Sequence, residues 1–431
     1  MAGKIEVFKF GGASVRDADG VRNVVSIVKN YKETPLVVVV SAMAKTTNAL
    51  ESLVKAHYYD RDRRYEIFEG IKNDHWRIMR ELFDEDHPVF YEVNDAFVEI
   101  DWALEEEPHP DYDYTYDQIV PVGELISSII LSHALAYNGV SVKWQDARDV
   151  IRTDDAYRDA RIDWVQTEMA IQQQVRPEVE RGVRVVTQGF IGATSDNQST
   201  TLGREGSDYT AAVFAYCLNA SKLSIWKDVP GILTADPAQF ENVDKLDRIS
   251  FREAIEMTYY GAKVIHPKTI QPLQNKSIPL YVKSFIHPEG EGTLINAGFE
   301  DVYPPVIVLE KDQTLLHIST RDFSFIAVDH LAHIFGLFDK FRIKVNLMRN
   351  SAVSFSVCVQ DHPARLPKLL EELEQDFNLV VDKDLELLTI RHYQEDQVRA
   401  LTTGKVVVFE ERFRETLQLV VRDAPLVALR K

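Results

Sequence analysis

The sequence predicts an α/β domain built on a mostly parallel central sheet flanked by helices, followed by a smaller region of ferredoxin-like order. Three observations carry this. Residues 35–40 form a continuous, largely β-branched run, the pattern of a strand buried on both faces beneath helices. Apolar strands alternate with helical segments up to about residue 290. Past Pro304 and Pro305 the order becomes β-α-β-β-α-β, with strands at 315–319, 344–348, 353–359 and 385–390 and helices at 329–341 and 366–377. The boundary near 295–305 divides the chain into 1–298 and 299–431.

Taken in order, 5–8 reads as the first strand and 21–29 as a helix. With 35–40 they make a βαβ unit, whose ligand-facing loops belong at the carboxyl ends of the strands. Residues 49–107 are helical and charge-rich, and Pro108 and Pro110 break them. The Tyr- and Asp-rich stretch 111–117 reads as a loop, a linker or lid. Apolar residues at helical spacing make 122–137 a helix, and 141–144, 184–187 and 223–226 are further strands. A β-rich tail occupies 406–409 and 416–421.

Of 431 residues, 67 are acidic and 49 basic, a net charge of −18. That balance argues against nucleic-acid and anionic-membrane partners, whose phosphates need a basic surface. Any anionic substrate must be met by local cations. Cys217 and Cys358 sit in apolar surroundings and read as reduced core thiols, with neither a disulfide nor a metal site. No long apolar run opens the chain and no span of membrane length is expected, so the expectation is a cytoplasmic protein.

Four stretches carry chemistry. The first, 7–15, runs from a short strand bearing Lys9 into Gly11 and Gly12 and on to a helix. Strand, glycine turn and helix together turn backbone N–H groups and a helix N-terminus toward an anion. The second, 200–210, is another glycine-rich turn before a helix, carrying Arg204, Ser207 and Asp208. An arginine fork suits a carboxylate or phosphate. An aspartate beside a phosphate site belongs there only if cations neutralise it; otherwise it reads as a helix cap. The third runs from Trp226 through Lys227, Asp228 and Gly231 to Pro237, and the fourth joins Gly261, Lys263, His266 and Pro267. Taken singly, each of these lysines reads as a solvated surface charge.

In order and spacing these stretches resemble the amino-acid kinase superfamily and, within it, the aspartate kinases. The resemblance rests on Lys9–Val15, Ser41–Met43, Gly123 and Glu124, Thr201–Asp208 and Gly261–Pro267. It implies an amino-acid kinase fold with a C-terminal ACT regulatory region, and ATP- and Mg²⁺-dependent phosphorylation of L-aspartate. The product, 4-phospho-L-aspartate, is the entry to lysine, threonine and methionine synthesis. It also implies roles residue by residue. Lys9, with the backbone of Gly11 and Gly12, stabilises the phosphoryl group in flight. Lys263 contacts the nucleotide phosphates, and Asp208 organises the catalytic cations. Arg204 grips a substrate carboxylate, Glu124 binds the substrate ammonium, and Ser41, Thr47 and Ser207 lie near the substrate. Lys227, Asp228 and Leu233 border the nucleotide. No side chain is expected to form a dedicated metal site. A carboxylate nucleophile is already ionised at neutral pH, so no general base is required.

Departures from the family pattern are local. Ala44 and Glu205 replace common glycines, Lys227 replaces a threonine, and Leu233 and Ala238 stand where an aromatic and an arginine are usual. The second ACT unit reads as truncated, with too little chain between 393 and 406 for its helix. ACT units commonly pair into shared sheets, so a homodimer through that region is expected. A glutamate or acetylglutamate kinase is disfavoured by Gly123, Glu124 and the ACT-like tail. A non-catalytic amino-acid sensor is disfavoured by the presence of Lys9, Asp208 and Lys263.

Overall fold

The computed structural model describes residues 4–424 apart from 263–264, 299–301 and 323. The described residues within 1–232, 245–255 and 264–300 form one compact unit, and those within 233–244, 256–263 and 301–431 a second.

The first unit begins β1 (Glu6–Phe10), α1 (Ala18–Lys29), β2 (Leu36–Val40). Helix α1 forms where expected. The Asp17 carboxylate caps it by accepting from the Gly20 N–H at 2.8 Å, and Val21, Val24, Val25 and Val28 recur on one buried face. The all-helical stretch follows as α2 (Thr46–Tyr59), α3 (Arg61–Leu82) and α4 (Val89–Glu105). Next come α5 (Tyr112–Ile119), α6 (Val122–Tyr137), β3 (Val142–Gln145), α7 (Trp164–Gln174), α8 (Arg176–Glu180) and β4 (Arg184–Gln188). A small hairpin, β5 (Ile191–Ala193) and β6 (Ser199–Thr201), precedes α9 (Gly206–Leu218) and β7 (Lys222–Lys227). The remainder is β8 (Arg248–Ser250), α10 (Phe251–Tyr259), α11 (Pro267–Asn275), β9 (Leu280–Ser284) and β10 (Thr293–Asn296).

Eight strands join in the order β3-β4-β2-β1-β7-β9-β10-β8, and only the β9–β10 pairing is antiparallel. The most apolar strands occupy the centre: every residue of β2 is buried. In register, Phe10 lies beside Val40 and Trp226, so β1, β2 and β7 end together. Gly11, Ser41 and Asp228 therefore leave the sheet from the same edge.

Two expectations are corrected here. The stretch 111–117 is not a loop but enters helix α5, with Asp111 as its N-cap accepting from the N–H groups of Asp113 and Tyr114. The aspartate that suggested a turn is the cap that starts the helix, and the helix buries Tyr116, Asp117 and Ile119. Helices α5 and α6 follow so closely that 112–137 makes one span long and apolar enough to cross a membrane, which the sequence was not expected to contain. Its apolar window is 89% buried within the protein, as a core helix would be.

The second unit contains β11 (Val306–Thr320), α12 (Val328–Lys340), β12 (Val345–Asn350), β13 (Ser354–Gln360), α13 (Leu366–Asp376) and β14 (Phe377–Arg391). It continues α14 (Glu395–Thr402), β15 (Lys405–Phe413), β16 (Thr416–Asp423). Its antiparallel sheet runs β12-β13-β11-β14-β16-β15, and the first four strands have ferredoxin-like order. Strands β11 and β14 are far longer than the sequence suggested. They pair along almost their whole length across register shifts near Glu310 and Gln313. Polar residues around Asp312 and Asp384, both at φ +55°, interrupt the apolar alternation there without ending the strands. Helix α14 occupies the segment judged too short for one, burying only Val398. Both cysteines are free and buried, and burial pushes each thiol up to about 12.

Both glycine-to-side-chain departures fall where the backbone is left-handed, Ala44 at φ +49° and Glu205 at φ +54°. Ala44 is exposed, so it has little packing to lose. Ala44→Gly should stabilise the protein by about 1 kcal/mol, read as a raised midpoint in thermal or urea unfolding.

Candidate active site

The strand ends of the first unit supply the site. Lys9 projects from the central strand β1, and its Nζ lies 2.7 Å from Asp208 Oδ1 in the first turn of α9. Both side chains are about nine-tenths buried. The approach is close but off-axis, an ion pair rather than an aligned hydrogen bond. Burial alone would push the Asp208 carboxyl up. The Lys9 and Lys227 ammoniums outweigh it and hold the carboxyl below its ordinary range, so the aspartate is charged. Its position at the N-terminal end of α9 favours the same charge state.

Close approach fixes the glycine turn. A Cβ on Gly12 would stand 2.6 Å from the Ala42 carbonyl oxygen, so the first turn and the turn after β2 meet backbone to backbone. Their contact is completed by hydrogen bonds from Ser41 N–H to the Phe10 carbonyl and from Ala44 N–H to the Gly12 carbonyl. Gly189, after β4, packs as tightly on Ser207, where a Cβ would come within 2.5 Å of the serine Cβ.

Beside this pair opens a cavity of about 430 Å³, whose lining includes Ser41, Thr47, Glu124, Arg204 and Ser207, all expected to face the substrate. Glu124 lies in the first turn of α6 and is buried. Its Oε1 accepts from the Ala42 N–H at 3.3 Å, whereas its Oε2 has no hydrogen-bond partner among the described residues. Burial pushes this carboxyl up to about 8, opposed by the Ala42 N–H and the Lys9 charge. An orphaned buried carboxyl in a cavity becomes a receptor for a cation once it gives up its proton. A larger hollow of about 660 Å³ lies over α2 and α3 near Lys55, Arg63 and Tyr112. It gathers no strand end and no buried charge.

Other expected residues fall as follows. Gly11 closes over Lys9, its would-be Cβ 3.5 Å from Nζ. Lys227 ends β7 half-buried, near enough for its charge to act on Asp208, and Asp228 follows it, exposed. Leu233 is half-buried in the second unit, and Lys263 lies outside the described residues. Among the described residues no group of three or more acidic, His or Cys side chains could hold a metal. The donor set fits a cation that arrives already coordinated by phosphates, which needs only one or two protein carboxylates.

A match to the model of the Amino acid kinase family runs from residue 4 to residue 284. The chain belongs to that family. Within it the chain is an aspartokinase relative: it is 35% identical over 357 residues to the lysine-sensitive aspartokinase 3 of Escherichia coli strain K12, covering 82% of this chain and 78% of that one. Two crystal structures of E. coli aspartokinase III resemble it. The T-state complex with lysine and aspartate superposes at a TM-score of 0.83 and 30% identity, covering 97% of this chain and 96% of that one. The R-state complex with aspartate and ADP gives 0.81 and 31%, with the same coverage.

Beyond the residues the aspartokinase motifs pointed to, the cavity recruits Glu51, Tyr116, Arg158 and Phe190. Asp117 holds this wall together. It is fully buried and accepts from Thr201 N at 2.8 Å, Thr201 Oγ1 at 2.7 Å and Arg158 N at 2.9 Å. Burial pushes its carboxyl up to about 6, against those three hydrogen bonds. The available signal is the helical spacing of Asp113, Tyr116 and Asp117, masked by a tyrosine and aspartate composition that also makes turns.

The raised Glu124 carboxyl sets a pH dependence. Between about 4.5 and 8 the folded protein retains a proton that the unfolded chain releases, so this residue lowers stability as pH rises through that window. Glu124→Gln removes the titration. Thermal melts of the ligand-free protein should show the variant gaining on wild type from pH 5 to pH 8; a constant difference would contradict the assignment.

Proposed function

We propose that the protein is an aspartate kinase, transferring the γ-phosphoryl group of ATP to the β-carboxylate of L-aspartate to give 4-phospho-L-aspartate, for amino-acid biosynthesis. One observation carries the reading: a buried lysine–aspartate pair stands at the strand ends beside a cavity that offers an orphaned carboxylate and an arginine. An amino acid with two carboxylates needs one anion for its ammonium and several donors for the rest. Phosphoryl transfer needs in-line positioning and charge neutralisation more than covalent help. The E. coli enzyme's complex with aspartate and ADP supports the same pairing of substrates here.

In this proposal Glu124 takes the ammonium, and Arg204, Ser41, Thr47 and Ser207 receive carboxylate oxygens. Lys9 and the backbone of Gly11 and Gly12 meet the phosphoryl group. Lys263, Lys227, Asp228 and Leu233 serve the nucleotide. Asp208 holds Lys9 in place and would hold Mg²⁺, which neutralises phosphate charge when bound. Residues 1–298 form the catalytic part and 299–431 the regulatory part, through which the chain pairs as a cytoplasmic homodimer.

The test is a hydroxamate assay with purified protein. Aspartate and ATP should yield the hydroxamate, and glutamate should not; turnover of neither would sink the proposal. Lys9→Ala should lower kcat about 100-fold or more, since a single donor to developing charge is worth about 3 kcal/mol. Unchanged turnover would remove Lys9 from its role. Because the ammonium binds the ionised form of Glu124, the KM for aspartate should fall from pH 6 to about pH 8 and then level off.

A further inference from the structure

We infer that the cavity between α7, α9 and α11 is a binding site for an aromatic carboxylate, separate from the substrate cavity and sharing no lining residue with it. It measures about 490 Å³, the size of a small-ligand site. Its aromatic side comes from two helices. Tyr209 and Tyr216 lie two turns apart on α9 and so share one face of it. Trp164 opens α7, whose start is fixed by the Asp163 carboxylate accepting from the Val165 and Gln166 N–H groups. Its indole stands edge-on to both tyrosines, with ring centroids 6.5 Å from Tyr209 and 5.0 Å from Tyr216. The Lys276 ammonium, 3.8 Å from the Tyr216 ring centroid, also donates to the Tyr216 carbonyl and holds that ring in place.

The opposite side is polar. Lys268, Gln271 and Asn275 recur along one face of α11. Lys268 pairs with Asp159, so those two charges cancel. Arg161 is left over. Its N–H donates to Asp154 Oδ1 at 2.8 Å and its carbonyl accepts from the Asp154 N–H at 3.0 Å, which fixes its backbone at the cavity wall. Its guanidinium has no partner among the described residues, and neither do the Trp164 N–H or the Tyr209 and Tyr216 hydroxyls. Unpaired donors beside packed aromatic rings are the makeup of a ligand site rather than of a core. One uncancelled cation calls for one negative charge, and a guanidinium fork matches a carboxylate. A phosphate dianion would meet Asp159 as well as Arg161, so the charge balance disfavours a nucleotide.

The test is calorimetric titration of the full chain with 3-phenylpropionate and with L-phenylalanine, a binding measurement that does not depend on turnover. At least one should bind saturably below about 10 mM, and the tighter of the two tells whether the site takes a plain aromatic acid or an amino acid. Phenethylamine keeps the ring without the carboxylate, and hexanoate keeps the carboxylate without the ring. Each should bind about tenfold more weakly or not at all. Arg161 is exposed, so Arg161→Gln should keep the melting temperature while weakening the bound carboxylate about tenfold or more. Arg63→Gln, in the hollow over α2 and α3, should leave the affinity unchanged. Failure of both aromatic carboxylates to bind, equal binding of phenethylamine or hexanoate, or an affinity that Arg161→Gln does not alter overturns the inference.

Discussion

A lysine ammonium and an aspartate carboxylate held 2.7 Å apart in a nearly dry environment are the constraint on which the first unit depends. Burying both charges carries a desolvation penalty that their attraction only partly offsets, and removing one partner typically costs about 3–5 kcal/mol. A fold that needed only stability would do as well with two apolar side chains. The pair persists because the strand order sets it there. Lys9 rides the central strand, Asp208 opens the helix that follows the small β5–β6 hairpin, and Lys227 arrives on the neighbouring strand. Two cations around one carboxylate leave a site that is net positive before any nucleotide arrives, in a protein that is otherwise strongly acidic. Such a locally inverted charge is what a polyphosphate requires.

The cavity beside the pair follows a complementary logic. Glu124 is buried with one oxygen unsatisfied, a state that is unfavourable until a cation comes. Its other oxygen accepts from Ala42, in the turn that Gly12 contacts backbone to backbone. Glu124 and the Gly11–Gly12 turn are therefore parts of one packed assembly, and a shift of either moves the other. Asp117 performs the matching task on the far wall, drawing the Arg158 turn and Thr201 together. The site is built from three helix first turns and several strand ends, so its precision derives from the sheet rather than from loops.

How far the sequence could be read depended on whether a residue's role was local. Lys9, Gly11, Gly12, Arg204 and Asp208 stand in contiguous motifs whose strand–turn–helix grammar is written in neighbouring residues, and the fold places them as that grammar implies. The β2 strand was legible because its burial is total on both faces. Asp117 and Arg158 were not legible, because their significance lies in a hydrogen bond between residues 41 positions apart. The helix bearing Asp117 hid behind a composition of tyrosine and aspartate that also makes turns. The full length of strands β11 and β14 is not legible in the sequence, because a register shift interrupts their alternation without ending their pairing. Arg158 at φ +67° carried no warning at all, since only tertiary ties hold it there.

The central claim is that Lys9 and Asp208 act as a unit on the transferring phosphoryl group. A double-mutant cycle on kcat with Lys9→Met, Asp208→Asn and the combined variant tests it most directly. If they act together, the double variant should turn over aspartate no more than about threefold slower than the slower single variant, because the second substitution finds nothing left to remove. Losses that multiply, so that the double variant shows the product of the two single effects, would mean that the two residues work independently and that the account is wrong.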